Sequence, residues 1–127
     1  MAKKKESNKE KAAKAIAKLW GGIEDEQFDL LLEHIELKKF KKGELIYQNE
    51  QQPTEAMCLL TGKVKIFKDG ISGKNQIIRV IKPLEFFGFR AYFADEIYKT
   101  AAMSLDNCVV ASFPIAVLMK LLQKSFN

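Results

Sequence analysis

From Leu37 to Phe113, apolar and polar residues alternate with a spacing near two. The pattern predicts strands at 36–40, 44–48, 57–60, 63–68, 75–81, 100–105 and 108–113. Between them lie Lys42-Gly43, Gln52-Pro53, Thr61-Gly62, Asp69-Gly70 with Ser72-Gly73, Lys82-Pro83 and Asp106-Asn107, all suited to turns. Many short strands with regular turns read as an antiparallel barrel or jelly roll, closed or nearly so, which removes sticky strand edges.

The period changes on either side of this region. Residues 9–19 are strong helix formers, with Ile16, Leu19 and Trp20 as an apolar end and Gly21-Gly22 as the stop. Residues 25–35 place Phe28, Leu31, Leu32 and Ile35 three and four apart, which predicts a second helix with one buried face. Residues 88–94 read as a short helical turn after a glycine. Residues 114–126 read as a helix with proline at its first position. That last helix carries Ile115, Val117, Leu118, Met119, Leu121 and Leu122. It is apolar over so much of its surface that it calls for more partner than one barrel face supplies, and self-association follows as an expectation.

Composition sharpens this picture. A chain of 127 residues that is 47% hydrophobic suits one domain with a sizeable core. No apolar run reaches the ~18 residues of a membrane span, and no long apolar stretch follows the basic start, so no membrane partner and a cytoplasmic location are expected. Seven lysines and two glutamates in residues 1–20 account for the whole net charge of +5, and the remainder is balanced. A broad basic face for nucleic acid is therefore not expected in the body. The lysine-rich start reads as a solvated tail, with a weak phosphate-contacting arm as the alternative. Cys58 and Cys108 sit in apolar contexts and read as buried free thiols rather than a disulfide or metal site. The single histidine, His34, falls on a predicted helix surface. No Ser/His/Asp set, Cys/His pair, His cluster or buried carboxylate pair is visible, so no enzyme activity and no metal are expected.

Several segments carry a resemblance in order and spacing. They are Phe40-Lys-Lys-Gly43-Glu44-Leu-Ile46-Tyr47, Met57-Cys-Leu-Leu-Thr-Gly62-Lys-Val64-Lys-Ile66-Phe67, Glu85-Phe86-Phe87-Gly88 with Ala91-Tyr92-Phe93, Lys99-Thr100-Ala101, and Val109-Val110-Ala111-Ser-Phe113-Pro114. Together they resemble the cyclic-nucleotide-binding domain of the Crp/Fnr transcription regulators over roughly residues 25–125. The resemblance implies a mainly β fold with flanking helices, a double-stranded β-helix or jelly-roll barrel. Residues 1–22 would be a basic helix or tail, 23–113 the barrel with its leading helix, and 114–127 the start of a C-terminal helical segment. The dimer helix and the DNA-reading domain of the family are absent from these residues.

The resemblance also implies a site. In the family, a glycine, the amides of the helix start after it and a basic side chain from the next strand receive a phosphate, while an acidic residue takes the ribose hydroxyl. Here the matching positions are Gly88, Phe89, Arg90, Ala91, Lys99 and Thr100, the expected ligand-binding set. Phe89 stands where the family has its acid and cannot accept a hydrogen bond, a loss of about 1.5–3 kcal/mol. Lys99 replaces an arginine and offers a point charge without the bidentate fork. Gln51-Gln52-Pro53 stands where the family shows a glycine turn. On the residues alone, 88–93 could also be a glycine turn that tucks Phe89, Tyr92 and Phe93 into the barrel mouth. Arg90 and Lys99 could be a solvated pair bridged to Asp95 or Glu96.

The expected function is the effector-sensing domain of a Crp/Fnr-like DNA-binding regulator with a degenerate phosphate cassette, one that does not bind cyclic AMP in the usual way. No cofactor is fixed. A cyclic nucleotide, a different anionic or apolar effector, and a barrel that has lost ligand sensing all stand open. The implied partners are a small-molecule effector, a second copy in a homodimer, and DNA through a C-terminal domain not in this chain. The alternative is a free-standing ligand-binding or protein-interaction module of the same fold.

Overall fold

The computed structural model describes residues 8–19, 21–69, 75–94 and 96–125, without the side chains of residues 19, 69, 75, 90, 93 and 122–125. Eight strands follow two helices: α1 (Asn8–Leu19), α2 (Asp25–His34), β1 (Glu36–Phe40), β2 (Leu45–Tyr47), β3 (Glu55–Thr61), β4 (Val64–Asp69), β5 (Asn75–Ile81), β6 (Phe86–Phe87), α3 (Arg90–Phe93), β7 (Ala101–Ser104), β8 (Cys108–Pro114) and α4 (Ile115–Ser125). Pairing runs from the ends inward: β1 with β8, β2 with β7, β3 with β6 and β4 with β5, all antiparallel. This nesting is the jelly roll, and β3–β8 and β4–β7 ladders knit it into two sheets, β1-β8-β3-β6 and β2-β7-β4-β5. The expected barrel closure is met by two facing sheets rather than by one hydrogen-bonded cylinder. β5 is an edge strand on which Ile77, Ile78 and Val80 stay exposed.

Burial parity explains the architecture. Ala56, Met57, Cys58 and Leu59 on β3 are all buried, so this strand is covered on both faces. Ala56 and Cys58, with Ala111 and Phe113 of β8, face the helices. Met57 and Leu59, with Cys108 and Val110, face the interior between the sheets. The molecule is thus three layers with two cores that share one sheet. Gly62 makes the step from β3 to β4 at φ +95. A Cβ there would lie 2.5 Å from the Asn107 carbonyl and 2.7 Å from Cys108 Sγ, so only glycine fits. Both cysteines are free and buried, and burial pushes the Cys58 thiol up to about 12.

The helices correct two expectations. Residues 8–19 are not a solvated tail: Ala12, Ala13 and Ile16 lie on one face of α1 and pack against α2 and the helical core. Among its described side chains, α4 presents no exposed large apolar residue either. Its Ile115, Val117, Leu118 and Leu121 are buried, because α2 covers the side that the sheet leaves open. Buried Gln27 joins the two helices, accepting the Glu24 N–H at 3.0 Å and donating to the Leu121 carbonyl at 3.3 Å. Pro114 ends β8, paired with Glu55, instead of opening the helix. His34 ends α2 on the surface, its Nδ1 donating to the Leu30 carbonyl at 3.0 Å. The expectations for residues 1–7, Trp20, the Gly70 and Gly73 turns, Asp95 and the side chains of Leu19, Phe93 and Leu122 lie outside what is described.

Replacing Ile16 with Ala should cost about 2–4 kcal/mol, read as a lower urea midpoint at unchanged slope. A change within about 0.5 kcal/mol would place α1 in solvent. Gly62→Ala should cost about 2–4 kcal/mol through positive-φ strain and overpacking. A neutral result would mean that the β3–β4 corner relaxes freely.

Candidate functional site

The jelly-roll pairing brings the end of β2 beside the start of β7 and places both under the turn between β6 and α3. A cavity of ≈ 340 Å³ opens there between the sheets. Of the expected site residues, Gly88, Phe89, Ala91, Lys99 and Thr100 all line it. Arg90 opens α3, and its side chain is among those not described. The segment is a strand, a glycine turn and then one helical turn, so the helical turn expected at 88–94 is present but short.

The polar geometry centres on a residue that the sequence reading did not single out. Tyr98 is buried and stacks on Tyr47, with ring centroids 3.9 Å apart and planes at 14°. Its hydroxyl donates to the Gly88 carbonyl at 2.6 Å. Its backbone N–H donates to the Gln51 carbonyl at 3.0 Å, and its carbonyl accepts the Glu50 N–H at 2.7 Å. One residue therefore ties the 48–51 turn to the β6–α3 turn. Gly88 itself has φ +84, and the space a Cβ would fill is taken by Met57 Cε, with Tyr98 Oη 3.5 Å away. The groups that crowd this side of the glycine belong to the protein.

Charge sits at the rim. Lys99 Nζ lies 2.8 Å from Glu96 Oε2, with side chains 69% and 42% exposed, so water screens the pair. On the other side Arg79 Nη2 lies 3.1 Å from Glu85 Oε2, also half-exposed. The Lys82 N–H, and after it Arg79, hold the Glu85 carboxyl below the usual range. Phe89 is half-buried, lines the cavity and also packs on the helical core that holds α4. Tyr92 is 45% exposed and does not tuck into the barrel mouth. Tyr98, Arg79 and Ile81 line the cavity with no motif to announce them, and Tyr47 and Ile66, which fell in the resembling segments without a site role, line it too. The available signal was period two, since Tyr98 and Thr100 share a parity just before β7.

Burial holds both phenols above their ordinary value near 10. For Tyr98, Tyr47 and Glu55 add to the effect, while a hydrogen bond with Thr100 opposes it at Tyr47. The folded state keeps these protons longer than the unfolded chain does. Their contribution is therefore complete below the ordinary phenol value and is lost as pH rises from there through the folded values. Tyr98→Phe should cost about 0.5–1.5 kcal/mol at neutral pH, because the half-buried Gly88 carbonyl loses its donor. The same variant should show a shallower fall of the urea midpoint in alkali. Unchanged stability at both pH values would mean that the phenol clamp does not form.

Residues 37–125 match the family model of the cyclic nucleotide-binding domain. A protein of Haemophilus influenzae, described only as uncharacterized, is 32% identical over 80 residues, which cover 62% of each chain. The chain therefore spans less than two thirds of that relative. The sensor domain of the transcriptional regulator DNR from Pseudomonas aeruginosa has the same fold at TM-score 0.81 and 19% identity, covering 91% of this chain and 79% of that one. The regulatory domain of Toxoplasma gondii PKA, solved with cAMP, superposes at TM-score 0.79 and 15% identity, covering 94% of this chain and 46% of that one. Among the described residues no helix is long and apolar enough to cross a membrane.

Proposed function

The chain belongs to the cyclic nucleotide-binding domain family, and from that membership we propose that it is the effector-sensing domain of a Crp/Fnr-like, cytoplasmic DNA-binding regulator, with a regulatory rather than a catalytic role. The observation that carries the reading is the ≈ 340 Å³ cavity bounded by the Gly88 turn on one side and Lys99-Thr100 on the other. In this reading Gly88, Phe89, Arg90, Ala91, Lys99 and Thr100 form the ligand-facing set. DNA contact and subunit pairing belong to a segment outside the 127 residues, in keeping with a body of balanced charge.

The mechanism is a population shift between two arrangements of the helical layer. Phe89 supplies a physical link, since it touches both the cavity and the core that seats α4. An effector that displaces Phe89 from one side changes its packing on the other. A ligand can bias the two arrangements only by binding them differently, and Phe89 is where that difference arises.

A second reading has one observation in its favour. Ile115, Val117, Leu118 and Leu121 of α4 are already buried within the chain, as suits a free-standing module. The open reading frame past codon 127 separates the two. A helix-turn-helix segment supports the regulator, and a stop codon overturns it in favour of the module.

Calorimetry should find cyclic AMP binding weaker than micromolar, because Phe89 removes an acceptor and Lys99 replaces a bidentate donor. Micromolar or tighter binding refutes the degenerate cassette. Lys99→Ala should lower affinity for an anionic effector about tenfold while changing stability by no more than about 1 kcal/mol, since its ion pair is exposed. A sharp drop in Tm would instead make Lys99 a structural partner.

A further inference from the structure

We infer that the cavity takes a neutral, ring-bearing small molecule with a single hydroxyl, not a phosphate-bearing one. This rests on the reading of the cavity as an effector site and specifies its ligand.

The buried wall is apolar and aromatic: Ile66, Ile81 and Phe87, with the stacked phenols of Tyr47 and Tyr98. Apart from tyrosines, the buried polar side chains among the described residues are Gln27, Ser104 and Ser112, and none of these lines the cavity. The rim holds two described cations, and each already has its carboxylate: Lys99 with Glu96 at 2.8 Å and Arg79 with Glu85 at 3.1 Å. Among the described side chains, then, the collar is electrically neutral. An anion passing through it would shed water, meet two carboxylates, and find no buried cation in the described wall. Burying a charge without such a partner is strongly unfavourable.

The Gly88 carbonyl is committed as well. It receives the Tyr98 hydroxyl at 2.6 Å, and Met57 fills the side of the glycine that lacks a Cβ. The polar side-chain groups described on the buried wall are hydroxyls. Tyr98 Oη still has acceptor capacity beyond the bond it donates, and Thr100 lines the same wall. One hydroxyl on an otherwise apolar ring system matches that inventory. The volume of ≈ 340 Å³ lies near the small end of the roughly 300–1,000 Å³ typical of small-molecule sites, which suits a two-ring compound.

The test is an amide-shift NMR titration of the intact chain with 1-naphthol and, separately, with cyclic AMP. The expected result is saturable shifts with 1-naphthol at the amides of Gly88, Ala91 and Thr100, insensitive to added salt. Cyclic AMP should bind at least about tenfold more weakly, since its phosphate would lose water without a buried cation in the described wall. Cyclic AMP binding as tightly as 1-naphthol, at the same amides, overturns the ligand class but leaves the effector cavity standing. Shifts by 1-naphthol confined to amides away from the cavity overturn it too. If neither compound binds, both the ligand class and the effector reading fall.

Discussion

The doubly covered strand pair β3–β8 is the constraint on which the rest of the structure depends. Its side chains alternate between two cores, so Ala56, Cys58, Ala111 and Phe113 anchor the helices while Met57, Leu59, Cys108 and Val110 fill the roll. Neither layer can shift without disturbing the other, because close-packed interiors transmit displacement. The helical layer and the cavity are therefore mechanically joined through a single sheet. The joint consists of apolar contacts rather than polar ones.

The cavity region is held by a different kind of contact. Tyr98 reaches three partners at once: the Tyr47 ring, the Gly88 carbonyl and the 48–51 backbone. A buried phenol is suited to this, since its ring contributes area and its hydroxyl satisfies an otherwise stranded carbonyl. The loop that links α3 to β7 would otherwise have little to fix it. The described ion pairs of the region, Arg79–Glu85 and Lys99–Glu96, stay at the rim in solvent, where they add little to stability.

Much of the fold was legible along the chain. Strands at 36–40 and 75–81 match to the residue, and the glycine corner at Gly62 and the helices at α1 and α2 fall close to their expected places. These are local matters of period, propensity and turn chemistry. The two-residue β6 was missed because Phe86–Phe87 is too short to show a period. The site was legible only in part. Gly88, Lys99 and Thr100 stood out through a family resemblance, whereas Tyr98 carried no motif and meets Tyr47 across 51 positions of sequence only because β2 nests against β7.

The sequence by itself determined the strand periods, the turns, the apolar character of β3 and α4, and the charge balance of the body, since each depends on residues near one another in the chain. Tertiary structure alone decided that α1 docks and α4 is covered, that Lys99 finds Glu96, and that Tyr98 closes on Gly88. Those outcomes turn on which distant surfaces meet. Nested pairing of first strand with last sets that arrangement, and a single strand's pattern carries no record of its partner.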